Sequence, residues 1–149
     1  MPTIITLIPD KNGKNALLDY LLKYDFLKYP KQNFHSTILY SPNMHVSPEK
    51  KIKDEIFKFL PIFLNPSTYF LDLFGDLRNE LVLRYENDDI RKIHEFLSHK
   101  NNYLNKKDIS CYPEFNPHIT LAKRVREDEL KQLDIFKEVL VLNDLFWKV

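Results

Sequence analysis

Two histidine triplets are the residues of this 149-residue chain whose types and spacing could do chemistry: His35-Ser36-Thr37 and His118-Ile119-Thr120. With only five histidines and few threonines in the chain, two His-x-Thr triplets are not expected by chance. Each is followed by an aliphatic residue, Ile38 or Leu121. In a strand, side chains at i and i+2 share a face. His35 therefore points with Thr37, and His118 with Thr120, while Ser36, Ile119, Ile38 and Leu121 face the opposite layer. If the two strands meet, two imidazoles and two hydroxyls surround one point. Histidine changes charge near neutral pH, so one ring can take a proton while the other gives one. The threonine hydroxyls can donate to non-bridging phosphate oxygens, where charge grows in the transition state. The reaction this suits is metal-free cleavage of a phosphodiester. A zinc or iron site would need a third ligand, and Glu114, four residues before His118 with Pro117 between, has no ligating spacing. No metal and no cofactor are expected.

Such a site needs matching scaffolds to carry the two strands to a common point. Thr3–Pro9 reads as an apolar, β-branched strand that ends in the turn-like Asp10-Lys11-Asn12-Gly13. Apolar residues recur at helical spacing from Asn15 to Leu27. Asn33–Ser41 reads as the first His-x-Thr strand, followed by a loop from Pro42 to Pro48. A helix over Glu49–Leu60 and a strand over Ser67–Phe74 complete the first half. The order then repeats. Asn79–Glu86 is a strand, and Asp88–His99 is a helix capped by Asn87 or Asp88. After a polar loop, Phe115–Ala122 is the second His-x-Thr strand. Glu127–Phe136 is an amphipathic helix and Lys137–Val149 a closing strand region. The expected fold is α+β: a single domain over residues 1–149, pseudo-twofold, with antiparallel sheets in two lobes around a central groove.

Composition narrows the function. A formal charge of +1 argues against duplex nucleic acid as a partner. Two glycines, Gly13 and Gly75, build neither a phosphate-binding loop nor a dinucleotide fingerprint. One cysteine, Cys111, gives no internal disulfide and a reducing compartment by default. No apolar run is long enough for a membrane span, and the first residues carry no signal pattern. A cytoplasmic protein is the expectation.

The paired motifs resemble the two-histidine phosphoesterase superfamily, which includes LigT-like RNA ligases and cyclic phosphodiesterases. The resemblance extends over Phe34–Ser41, over Leu81–Glu86 and the helix through His94, and over Tyr112-Pro113-Glu114-Phe115-Asn116-Pro117-His118-Ile119-Thr120. Within the superfamily these segments look most like the bacteriophage anti-CBASS phosphodiesterases. The resemblance implies the two-lobed fold, with His35, Thr37, His118 and Thr120 as the catalytic set and no metal. It implies a cyclic di- or trinucleotide substrate cut at a 3′–5′ bond by its own 2′-hydroxyl, silencing a bacterial defence signal in the host cytoplasm. LigT-like relatives use the same four residues on 2′,3′-cyclic phosphates or 2′–5′ bonds, so the base-binding walls decide the substrate. A third reading, from a different class, is a nucleotide sponge that binds without turnover.

Four residues are the main candidates for those walls. Tyr112 and Trp147 could stack on bases. Lys123 or Arg124, directly after the second motif, could balance phosphate charge, and by strict alternation Arg124 shares the face of His118 and Thr120. Arg84, a charge in mid-strand, could meet a phosphate. Tyr40 and Phe74 are also candidates to stack on bases, with the core reading favoured, and His94, at an apolar spacing on its helix, reads as a core or boundary residue. The spacing of five between His94 and His99 does not put them on one helical face. His45 is assigned no role.

Overall fold

The computed structural model describes residues 3–41, 50–99 and 115–148. In chain order the elements are β1 (Thr3–Pro9), α1 (Lys11–Leu22), β2 (Tyr29–Pro30), β3 (Ser36–Ser41), α2 (Lys50–Phe57), β4 (Ile62–Leu64), a 3-10 turn (Pro66–Thr68), β5 (Phe70–Phe74), β6 (Glu80–Arg84), α3 (Asp88–His99), β7 (His118–Lys123), α4 (Glu127–Leu130) and β8 (Leu140–Lys148). The strands form two four-stranded sheets, β3-β1-β8-β4 and β2-β7-β6-β5. Every pairing among the described residues is antiparallel. The class is α+β, as the alternation of strand and helical patterns implied.

One continuous apolar core joins the sheets and helices, with Ile5 and Leu7 of β1, Leu83 of β6, Ile90 and Ile93 of α3, and Ile119 of β7 fully buried in it. Among the described residues, no buried side-chain polar atom lacks a hydrogen bond, as a well-packed interior requires. No helix among them is long and apolar enough to cross a membrane.

Several elements differ from the sequence reading. The Asp10–Gly13 segment is not a turn before the first helix but its first turn. The Asp10 carboxylate caps α1 by accepting from the Gly13 N–H at 2.8 Å. Gly13 stands in the helix because α1 lies close on β8: a Cβ there would come within 3.1 Å of Leu140 Cδ2. The helix expected over Glu127–Phe136 is a single turn, and the short strands β2 and β4 were not legible as strands. β5 begins only at Phe70, because Pro66 opens a 3-10 turn capped by Asn65. The helix at Asp88–His99 agrees with its expected bounds. The loop from Pro42 to Pro48, His45 and Cys111 lie outside the described residues.

Candidate active site

The two His-x-Thr segments are built alike, residue for residue. From Phe34 to Tyr40, burial runs buried, open, buried, open, buried, buried, exposed, with His35 and Thr37 at the open positions. From Pro117 to Lys123 the same sequence recurs, with His118 and Thr120 at the open positions. The doubled burial at the fifth and sixth places has one cause in both. Pairing of β1 with β3 passes from Ile5 opposite Leu39 to Thr6 opposite Thr37, so Ile38 bulges out of register. Pairing of β6 with β7 passes from Leu81 opposite Ala122 to Val82 opposite Thr120, so Leu121 does the same. A bulge bends its strand and re-aims the side chains beside it.

A bulge residue loses its ladder partner, and its carbonyl needs another donor. The Leu121 carbonyl accepts from the Lys31 backbone N–H at 2.7 Å. The Ile38 carbonyl accepts from Nδ1 of His94 at 2.8 Å. The His94 ring stacks on Phe115 at 3.9 Å and 7°. Helical spacing puts His94 at the boundary of the core, but the support it gives β3 depends on a bulge that no local pattern announces.

A cavity of about 530 Å³ opens against these segments, within the size of small-ligand sites. Thr37 through Tyr40 line one side, and His94, Phe115, Asn116 and His118 line another. The β5–β6 turn closes it with Phe74, Gly75, Asp76, Arg78 and Glu80. That turn needs the left-handed backbone of Gly75, whose φ is +96°. Phe74 meets the His118 ring edge-on at 4.7 Å. Tyr40 is 38% exposed. Tyr40 and Phe74 are thus cavity walls rather than core, which corrects the sequence expectation: the bulge at Ile38 turns Tyr40 outward, and β5 is an edge strand.

His35 sits one residue before β3, exposed to solvent, and neither it nor Thr120 is among the residues lining the cavity. His118 is the first residue of β7 and half-buried. Each feels the site. Partial burial lowers the His35 pKa below the usual histidine value, and the charges of Lys31 and His118 lower it further. Burial also lowers His118; the Asn116 carbonyl bonded to its ring and the Glu80 carboxylate oppose this, while Arg84 adds to it. In the free protein both imidazoles are therefore neutral at neutral pH. Lys31, whose charge reaches His35, was not anticipated: nothing in the sequence marks it, because the chain turn that carries it is held by the bulge at Leu121.

The four expected wall residues fare differently. Arg124 lies beyond the end of β7 at φ +56°. It donates to the Tyr29 hydroxyl at 3.1 Å and rests 4.6 Å from that ring's centre. Strict alternation fails because the bulge shifts the period by one, so Lys123, not Arg124, falls in step with His118 and Thr120. Arg84 does reach the site, but bonded to Asp72 and Asn116. Trp147 is half-buried against the core on β8, opposite Ile5 of β1, and does not line the cavity. Tyr112 lies outside the described residues.

The chain is similar in fold to TT0787 of Thermus thermophilus, known from its crystal structure. The TM-score is 0.56 at 16% identity, covering 99% of this chain and 84% of that one. No protein-family model matches the sequence, and no curated protein matches it.

Proposed function

We propose that this protein is a two-histidine phosphodiesterase, with its two sheets acting as lobes around the cleft, that cuts 3′–5′ bonds of cyclic oligonucleotide messengers and so counters CBASS-type antiviral signalling in a host cytoplasm. Three observations support the reading. The two His-x-Thr segments share burial pattern and bulge, Thr37 and His118 line one cavity, and the charge of His118 reaches His35.

In this mechanism one neutral imidazole takes the proton of a ribose 2′-hydroxyl as that oxygen attacks the adjacent phosphorus. The bond from phosphorus to the 5′-oxygen breaks, and the other imidazole, protonated, delivers its proton to that oxygen. The products are a 2′,3′-cyclic phosphate and a 5′-hydroxyl. Both rings are neutral in the free protein, and the entering phosphate anion supplies the field that protonates one of them. The Thr37 and Thr120 hydroxyls donate to the non-bridging oxygens as their charge grows. Tyr40 and Phe74 offer aromatic surface for a base, and stacking of this kind is worth roughly 1–3 kcal/mol per base.

The test is turnover in excess EDTA of three substrates: a 3′,3′-linked cyclic di- or trinucleotide, a linear 2′–5′ oligoadenylate, and 2′,3′-cyclic AMP. Cleavage of the cyclic oligonucleotide alone is expected. Cleavage of only the other two would keep the chemistry and move the substrate to RNA ends. A cyclic ligand that binds and returns whole on denaturation would make the protein a sponge.

A further inference from the structure

His118 is held by more than its own strand. Its Nδ1 lies 2.7 Å from the Asn116 carbonyl oxygen. A carbonyl oxygen only accepts, so Nδ1 carries the proton and Nε2 is the nitrogen left for substrate. Asn116 is fixed in turn, because its side-chain Oδ1 accepts from Arg84 Nη2 at 3.0 Å. The other end of the same guanidinium, Nη1, donates to Asp72 Oδ2 at 3.1 Å. Aromatic rings flank the fork: its central carbon stands 4.4 Å from the centre of Phe70 and 5.6 Å from that of Phe74. Phe74 is the same ring that meets His118 edge-on.

The sheet makes this chain of contacts possible. Arg84 pairs directly with His118 across β6 and β7, and with Phe70 across β6 and β5. A guanidinium bonded at both ends and stacked on a ring is pre-organised to orient its neighbours. Two of its five N–H donors are taken, one at each terminal nitrogen, and together these bonds fix the plane of the guanidinium. Lysine in this place could not reach both partners in one plane.

The geometry points to Arg84, anchored by Asp72, as a positioning residue that holds the Asn116 segment and thereby fixes which nitrogen of His118 faces the substrate. This rests on the reading of His118 as an acid–base group. Arg84 acts through Asn116 rather than on the phosphate.

The experiment is proton–nitrogen NMR of the imidazoles in the free protein, followed through pH, for the wild type, Arg84→Gln, Arg84→Lys and Asp72→Asn. The charged and titratable groups facing His118 are Arg84 and Glu80 from β6 and His35 from the segment before β3. Wild type is expected to hold His118 as the Nδ1–H form when neutral. Arg84→Gln is expected to give a mixture of tautomers and a His118 titration moved to higher pH, because a nearby cation is gone. Arg84→Lys is expected to keep the titration low yet still show the mixture. In turnover, Arg84→Gln is expected to lower kcat by about 10-fold or more with KM changed less than about 3-fold, as misplacement rather than lost binding requires. An unchanged tautomer and titration in Arg84→Gln would overturn the proposal. So would a KM raised about 10-fold at constant kcat, the mark of a phosphate ligand. If Arg84→Gln does not fold, Asp72→Asn, which keeps the cation but takes the charge from its anchor, carries the tautomer readout alone, and an unchanged tautomer there overturns the proposal equally. The NMR arm uses no substrate, so it stands even if no phosphodiester is cut.

Discussion

Both histidine imidazoles have pKa values below the ordinary one, and under the proposed function these set the working pH. In the proposed mechanism one is protonated and the other neutral in the encounter with substrate, so kcat/KM is expected to peak midway between their free-protein values. Both lie below the ordinary histidine value. The expected optimum of kcat/KM is therefore below about pH 6.5, with the rate falling as pH rises through neutrality. Lys31 is one cause of the His35 depression, so Lys31→Gln is expected to move the optimum toward higher pH. A pH–rate profile of both proteins checks this, and an optimum at or above pH 7.5 in wild type would contradict it. The histidines and threonines themselves were legible at this scale, because a repeated triplet of reactive types needs no tertiary information. Arg84 was legible as an odd charge in mid-strand, but its partners Asp72 and Asn116 are 12 and 32 residues away in the chain, and only sheet pairing brings them together.

The strand that carries a motif also anchors it. Ser36, between His35 and Thr37, is fully buried and shares a short hydrogen bond with the Tyr85 hydroxyl, at the end of β6. Tyr85 is itself buried, and burial pushes its pKa far above the ordinary tyrosine value, so it stays protonated. This bond ties the first motif to the strand that pairs with the second. Tyr85→Phe leaves the Ser36 hydroxyl buried without that partner, with an expected cost of about 1–3 kcal/mol. Adding Ser36→Ala is expected to recover part of that loss, and urea unfolding of the two singles and the double measures it. Strict additivity of the single losses would contradict the pairing. Strand and helix periodicity exposed β1, β3, β6, β7 and α3 in the sequence, because each buries one face. The bulges at Ile38 and Leu121 were not legible, since a bulge exists only relative to the partner strand. That single omission misplaced Arg124 and hid the exposure of Tyr40.

At the scale of the molecule, two antiparallel sheets sharing one core bring residues 35 and 118 into each other's field. The fold refuses protons that the unfolded chain accepts at the same pH. The stability contribution from both histidines is therefore fully present above the unfolded value near 6.5, and is lost as pH falls through the depressed folded values. The urea midpoint is expected to fall between pH 7.5 and 5.5, and His118→Gln is expected to flatten that fall. A midpoint in His118→Gln as steep in pH as wild type would remove His118 from the account. The repeat of strand, helix and His-x-Thr strand was visible in the sequence, but the assignment of β4 to one sheet and β5 to the other was not, because short edge strands carry little pattern of their own. The central claim is that the two histidines are one acid–base pair acting on a phosphodiester. The most direct measurement is turnover of a 3′,3′-linked cyclic oligonucleotide in EDTA by wild type, His35→Ala and His118→Ala, with binding measured alongside. The account predicts that each variant loses about 10²–10⁴-fold in rate while still binding the ligand. Wild-type turnover in either variant would contradict it.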